Sequence, residues 1–188
     1  MKKFFVALLF AVVCFGANAQ IFEYDHTSGK MYMTYIIENT NMTVEDAYIA
    51  TEEIFSAMYN NTNATRRETS SKDRLIYKGS FGTLASFNMG AWVIRDNHQI
   101  VVSLKNNRIK IDIYSTDVDL DMVNGNIFGE GIRYWSDLYP NDPNMKIGKT
   151  NISKASSEEA YNNWKFKAVN FIETFASEIK KFKNTEDW

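Results

Sequence analysis

The sequence predicts an α+β fold: an antiparallel sheet of about five strands in the order β-α-β-β-β-β-α, with both helices on one face. Three observations carry this. Period-2 alternation recurs in several stretches between Met31 and Tyr114. Two other stretches, after Thr43 and after Ser156, repeat apolar residues at helical spacing. A half-wet sheet needs one face covered, and two amphipathic helices are at hand to cover it.

The chain opens with Lys2-Lys3, twelve apolar residues from Phe4 to Phe15, then Gly16 and Ala17-Asn18-Ala19. A positive start, a short apolar core and small residues before the cut predict a secretory signal peptide over 1–19, cleaved between Ala19 and Gln20. Twelve residues at 1.5 Å each span about 18 Å, short of the roughly 30 Å hydrocarbon core, so the run is no membrane anchor. Cys14 follows Val13 inside that run and leaves with the signal peptide, so the mature chain carries no thiol. Formal net charge then moves from −2 to −4, because Lys2 and Lys3 leave and all 23 acids stay. No later stretch approaches spanning length, so no transmembrane segment is expected in the mature chain. The expected location is secreted, in the periplasm or at the cell surface.

Residues 20–30 show no periodicity and predict an N-terminal arm, ahead of a single α+β domain over 31–188. Met31, Met33, Tyr35 and Ile37 alternate with Tyr32, Thr34, Ile36 and Glu38 as a strand. Asn39-Thr40-Asn41 breaks it. Thr43 and Asp46 form a capping-box pair, with Glu45 and Asp46 at the positive helix end. Val44, Ala47, Tyr48, Thr51, Ile54, Phe55 and Met58 then share a helical face that ends near Asn60-Asn61.

Thr62 to Lys72 is polar and predicts a loop. Four strands follow: Leu75-Ile76-Tyr77, a run from Phe87 to Ile94, Ile100 to Leu104, and Ile109 to Ile113. Lys105-Asn106-Asn107-Arg108 joins the last two, and Asn tolerates the positive φ of a tight turn. Residues 117–152, holding both Pro140 and Pro143, predict an irregular insertion. A final helix over 156–183 is capped by Ser156 or Ser157, with Glu158 and Glu159 in its first turn and Lys180, Lys181 and Lys183 in its last. Its stripe is Ala160, Tyr161, Trp164, Ala168, Phe171, Ile172, Phe175, Ile179 and Phe182, with Phe166 pointing away.

The helix start Met42-Thr43-Val44-Glu45-Asp46-Ala47-Tyr48 and the hairpin Ile100-Val101-Val102-Ser103-Leu104-Lys105-Asn106-Asn107-Arg108-Ile109-Lys110-Ile111 resemble a known family. It is the TATA-binding-protein-like (TBP-like) module called domain of unknown function 4468, and the resemblance covers about Met31 to Val118. It implies a TBP-like fold in a secreted protein of a Gram-negative gut bacterium. The family has no assigned activity, so the resemblance implies none.

Several chemistries lack their residues. His26 and His98 are far apart and neither begins an H-E-x-x-H helix, so each is expected at the surface or in a turn. Asp117, Asp119 and Asp121 alternate as an EF-hand loop begins. Such a loop then needs Gly and a distal Glu, where this chain has Met122 and Phe128. Gly125 to Gly131 is glycine-rich without the strand-to-helix setting of a phosphate loop. No G-x-S-x-G elbow occurs. Catalytic, metal and cofactor residues are therefore all assigned as none. A net negative chain also argues against nucleic acid as partner.

Aromatics in the insertion are the remaining cue. Tyr134, Trp135 and Tyr139 follow no amphipathic period, and exposed rings can stack on sugars or anchor a protein. The expectation is a secreted, non-catalytic module binding a protein, glycan or other envelope component. The alternative is a hydrolase acting on glycans or peptides, which needs a cleft with convergent carboxylates or a histidine relay.

Overall fold

The structure, a computed structural model, describes residues 20–25, 30–59, 65–67, 71–87, 89–122, 132–134, 146–147 and 150–184. In chain order these form β1 (Gln20–Asp25), β2 (Lys30–Glu38), α1 (Val44–Met58), β3 (Thr65–Arg67), β4 (Arg74–Gly79) and β5 (Thr83–Phe87). They continue as β6 (Trp92–Lys105), β7 (Arg108–Met122), β8 (Ile132–Tyr134), β9 (Lys146–Ile147), β10 (Thr150–Asn151) and α2 (Lys154–Asn184). The main sheet runs β1-β2-β7-β6-β4-β3, with β5 beside the start of β6 and β8 beside the end of β7. Every pairing is antiparallel. β9 and β10 pair separately.

Alternation decides which residues go inside. Even-numbered residues of β6 from Trp92 to Leu104 are all buried, alongside Met31, Met33 and Ile37 of β2 and Leu75 and Tyr77 of β4. In β7 the inward set begins on odd numbers, Ile109, Ile111 and Ile113, and ends on even ones, Val118 and Leu120. The register explains the change. His98 pairs with Ser115 and Asn97 with Asp117, which leaves Thr116 without an opposite residue. One extra residue flips every later side chain to the other face. Asp117, Asp119 and Asp121 are thereby turned away from the core.

Both helices cover that inward face. α1 buries Ala47, Ala50, Thr51, Ile54 and Phe55, and α2 buries Trp164, Ala168, Phe171, Ile172, Phe175 and Ile179. Phe55 is the hub, stacked on Tyr77 at 3.8 Å and edge-on to Phe171 and Phe175 at 5.6 and 5.5 Å. Phe166 stays 63% exposed on the far side of α2. The fold is α+β with two helices on one side of an antiparallel sheet, as the sequence predicts.

Both helix starts have local causes. Thr43 accepts from Asp46 N–H at 3.2 Å, and Asp46 accepts from Thr43 N–H at 3.1 Å, a reciprocal capping box. Asn39 and Asn41 take the chain into it with φ of 56° and 53°, a region Asn enters more readily than most residues. α2 starts before its expected cap: Ser153 accepts from Ser156 N–H at 3.0 Å, while Ser156 and Ser157 are buried in the first turn.

The structure departs from the sequence reading at four other places. Residues 20–25 are not an arm but strand β1, held to β2 from Gln20↔Tyr35 to Asp25↔Lys30. Backbone pairing needs no alternation where a strand lies at a sheet edge. The run from Phe87 to Ile94 is not one strand: Met89 and Gly90 take φ of 55° and 80° as a turn, and Phe87 pairs back onto Trp92. Thr65–Arg67, inside the expected polar loop, is strand β3 against β4. The irregular insertion begins later than residue 117, because β7 continues to Met122 with β6 beside it.

Candidate functional site

Side chains of β2, β7, β6 and β4 that do not enter the core form the other face of the sheet. Among the described residues no helix packs on it; α1 meets α2 and β6, and α2 meets β5 and β2, on the core side. Register lines up a row across four strands here: Tyr32 pairs with Tyr114, Tyr114 with Gln99, and Gln99 with Lys78. The two tyrosine rings lie 5.0 Å apart and tilted by 37°.

Asp112 lies in the next row and is only 4% exposed despite facing away from the helices. Its Oδ1 accepts from Tyr32 Oη at 3.0 Å and from Thr34 Oγ1 at 2.5 Å, and its Oδ2 pairs with Lys110 Nζ at 2.9 Å. Three donors satisfy the carboxylate, which removes the cost of an unpaired buried charge. That contact holds the Lys110 ammonium above its ordinary range. Burial, with the Asp112 charge second, pushes the Tyr114 phenol up to about 12. Tyr114 therefore stays a neutral hydroxyl at physiological pH.

Charge divides this face. Arg74 and Lys105 are exposed toward one end, where Arg108 Nε also pairs with Glu38 at 3.0 Å, while Lys78 is exposed midway along the sheet, opposite Gln99. Toward the other end Asn97 Nδ2 donates to Asp117 and Asp119, each at 3.1 Å, and Arg95 holds Asp121 at 2.8 Å. The three alternating aspartates are thus a strand face engaged by its neighbour strand, not a loop wrapped around an ion.

The second polar cluster is sealed inside. His98 is buried in β6, not at a surface or in a turn, which corrects the expectation for it. His26 lies outside the described residues. His98 Nδ1 meets Asp96 Oδ2 at 2.6 Å and Nε2 meets Tyr59 Oη at 3.0 Å; both His98 and Asp96 side chains are fully buried. Asp96 Oδ1 also accepts from Phe81 N–H at 2.7 Å, and the Phe81 ring lies 4.0 Å from the imidazole. Burial, with Asp96 second, pushes the Tyr59 phenol far above its ordinary value. The signal was present in the sequence: the alternation Leu104, Val102, Ile100, carried backward, places His98 and Asp96 on the core face.

An Asp–His pair is half of a hydrolytic relay, but here Nε2 faces a phenol that stays protonated, not an activated nucleophile. A shallow cleft of about 500 Å³ lies elsewhere, between α1 and α2, lined by Ile54, Ala57, Met58 and Phe182 and rimmed by Glu53, Glu178 and Lys181. Lys181 is tied to Glu178 at 2.6 Å. Of the aromatics singled out by sequence, Tyr134 falls in β8 at the register position opposite Asp117. Trp135 and Tyr139 lie outside the described residues, as do residues 1–19.

Among the described residues, an antiparallel sheet with two helices on one side and none on the other defines a TBP-like α+β fold. Solved structures agree. A TBP-like protein from Parabacteroides distasonis aligns with a TM-score of 0.54 and 12% identity, covering 78% of this chain and 93% of that one. A DUF4468 family protein from Bacteroides ovatus aligns with a TM-score of 0.51 and 11% identity, covering 90% and 91%. The resemblance carried by the helix start and the hairpin is therefore matched by a likeness of fold. No family model and no curated protein sequence matches the chain.

Proposed function

We propose that this chain is a secreted, non-catalytic binding module that engages a protein or envelope component of a Gram-negative gut bacterium, in the periplasm or at the cell surface. The observation that carries the reading is the contrast between its two polar clusters. Tyr32 and Tyr114 sit on the open sheet face over a fully paired Asp112, a surface organised before any ligand arrives. The one Asp–His pair among the described residues is closed inside the core.

Tyr134 joins the same proposed surface by register, since β8 meets β7 at Asp117, three residues along from Tyr114; Trp135 and Tyr139, the other two aromatics the sequence offers, lie outside the described residues. The mature module begins at Gln20 and forms one α+β domain. The source organisms of the structural neighbours support the bacterial assignment.

A hydrolase acting on glycans or peptides is the second reading, and the Asp96–His98 contact is what favours it. Two measurements decide. Intact mass of exported protein should start at Gln20, and retention of residues 1–19 or a lipid on Cys14 would refute the address. Purified mature protein should co-sediment with isolated cell envelopes and release no reducing ends or peptides from them. Loss of co-sedimentation in Tyr32→Ser/Tyr114→Ser supports the module. Product release abolished by His98→Gln would establish the hydrolase instead.

A further inference from the structure

The β5–β6 hairpin turns on a residue its backbone does not favour. Met89 and Gly90 sit at the tip with φ of 55° and 80°, and Phe87 pairs with Trp92 beneath them. Two successive turn residues with positive φ favour Asn-Gly, Asp-Gly or Gly-Gly, because a Cβ crowds the following carbonyl oxygen there. Gly90 meets that need and Met89 does not. Packing does not offset the mismatch: Met89 is fully exposed, at 103%, whereas Phe87 and Trp92 are buried. A residue that breaks a local rule with no gain in packing marks a place where the side chain itself is used.

What Met89 offers is a thioether in water. Among the described methionine side chains the other four are withdrawn: Met31 and Met33 are fully buried, Met42 is 5% exposed, and Met58 is half-buried against the core. Sulfur in the core is shielded from a water-borne oxidant, and its oxidation would place a polar sulfoxide among apolar neighbours. Neither holds at the hairpin tip. There hydrogen peroxide meets the thioether directly: a sulfur lone pair attacks one peroxide oxygen, the O–O bond breaks and the S–O bond forms. The second oxygen leaves as water with both protons, so sulfur loses the two electrons that peroxide gains. The same exposure admits a methionine sulfoxide reductase, whose dithiol supplies two electrons and two protons, restores the thioether and releases the oxygen as water.

We propose that Met89 is a reversible oxidation site, which takes an oxygen atom from hydrogen peroxide ahead of the buried methionines and gives it up to a dithiol reductase, with the fold intact in both states. Peptide-resolved mass spectrometry of the purified protein under limiting peroxide tests it. Met89 should gain one oxygen about tenfold faster, or more, than Met31, Met33 and Met42. Near-ultraviolet circular dichroism of the protein oxidised at Met89 should match the untreated protein. Methionine sulfoxide reductases of both epimer specificities, with dithiothreitol, should then remove the added oxygen. Met89→Leu, which keeps an apolar side chain of similar size, should abolish the fast uptake. Met89→Asn should raise the urea midpoint, because Asn tolerates the positive φ that Met does not. Oxidation of Met31, Met33 or Met42 as fast as Met89 would overturn the assignment. So would loss of tertiary signal on oxidation of Met89, an oxygen the reductases cannot remove, or a midpoint that fails to rise in Met89→Asn.

Discussion

Asn106, at the tip of the β6–β7 hairpin, accepts through its side-chain oxygen the backbone N–H of Val44, the first residue of α1, at 3.2 Å. Two backbone bonds flank this contact: Asn107 N–H to Met42 O at 2.9 Å and Thr40 N–H to Asn107 O at 3.2 Å. The two segments that carried the family resemblance are thus one structural unit. The hairpin turn satisfies a helix donor that has no partner within the helix itself.

Loss of either cap should weaken the fold measurably. Thr43→Ala, which removes the capping box, should cost about 1 kcal/mol. Asn106→Ala should cost roughly 0.5–1.5 kcal/mol, the range for one hydrogen bond. Urea unfolding of both variants checks this, and an Asn106→Ala midpoint equal to wild type would deny the turn its capping role.

What the sequence reveals and hides here has physical causes. Thr43–Asp46 and the α2 stripe are local patterns, so both helices were legible, with α2 extending to Asn184. Strand β1 was not, because an edge strand is held by backbone bonds that leave no period in its side chains. The β5–β6 turn was hidden by apolar residues at Phe87, Met89, Ala91 and Val93, which continue the alternation straight through it; Gly90 was its one marker. The candidate site needed the register. Tyr32 and Lys78 are 46 positions apart and become one row only when β2, β7, β6 and β4 line up.

The sealed relay makes its own prediction. Asp96→Ala leaves His98 and the Phe81 N–H without their shared acceptor in the core, and should cost roughly 3–5 kcal/mol, as for a broken buried pair. Tyr59→Phe strands His98 Nε2 alone and should cost about 1–3 kcal/mol. Denaturant titration followed by near-ultraviolet circular dichroism reads both. A relay that served a reaction rather than packing would leave Tyr59→Phe as stable as wild type.

Alkaline pH should destabilise the protein through its raised phenols. The folded-state value of Tyr114, about 12, lies above the ordinary tyrosine value of 10.0. Between those values the unfolded chain has released the proton that the folded chain still holds. Stability is therefore unaffected below about pH 10 and falls as pH rises from there toward 12. Tyr59 adds to the loss in the same direction. Urea midpoints at pH 9 and pH 11 measure the drop. Tyr114→Phe should reduce it, and a drop unchanged in that variant would place the sensitivity elsewhere.

The C-terminal helix should prove inseparable from the sheet. Trp164, Phe171, Ile172, Phe175 and Ile179 are all buried against it. Each is worth roughly 1.5–3 kcal/mol on burial. Together they rival a domain's whole net stability of about 5–15 kcal/mol. α2 also anchors backbone directly: Asn163 Nδ2 donates to Leu84 O at 2.6 Å, and Lys167 Nζ donates to Phe81 O and Thr83 O, each at 2.8 Å. Those carbonyls lie in β5 and the turn before it, so losing α2 bares the core face and unfastens a strand together. Deletion of residues 154–188 should give an insoluble or molten product, and Trp164→Ala alone should cost about 3–5 kcal/mol. The competing view makes the α2 stripe a detachable docking seam on a domain complete without it. A truncated protein that stayed monomeric, soluble and cooperatively folding would establish that view, because no sheet with Ile109, Ile111 and Ile113 uncovered should remain in water as a monomer.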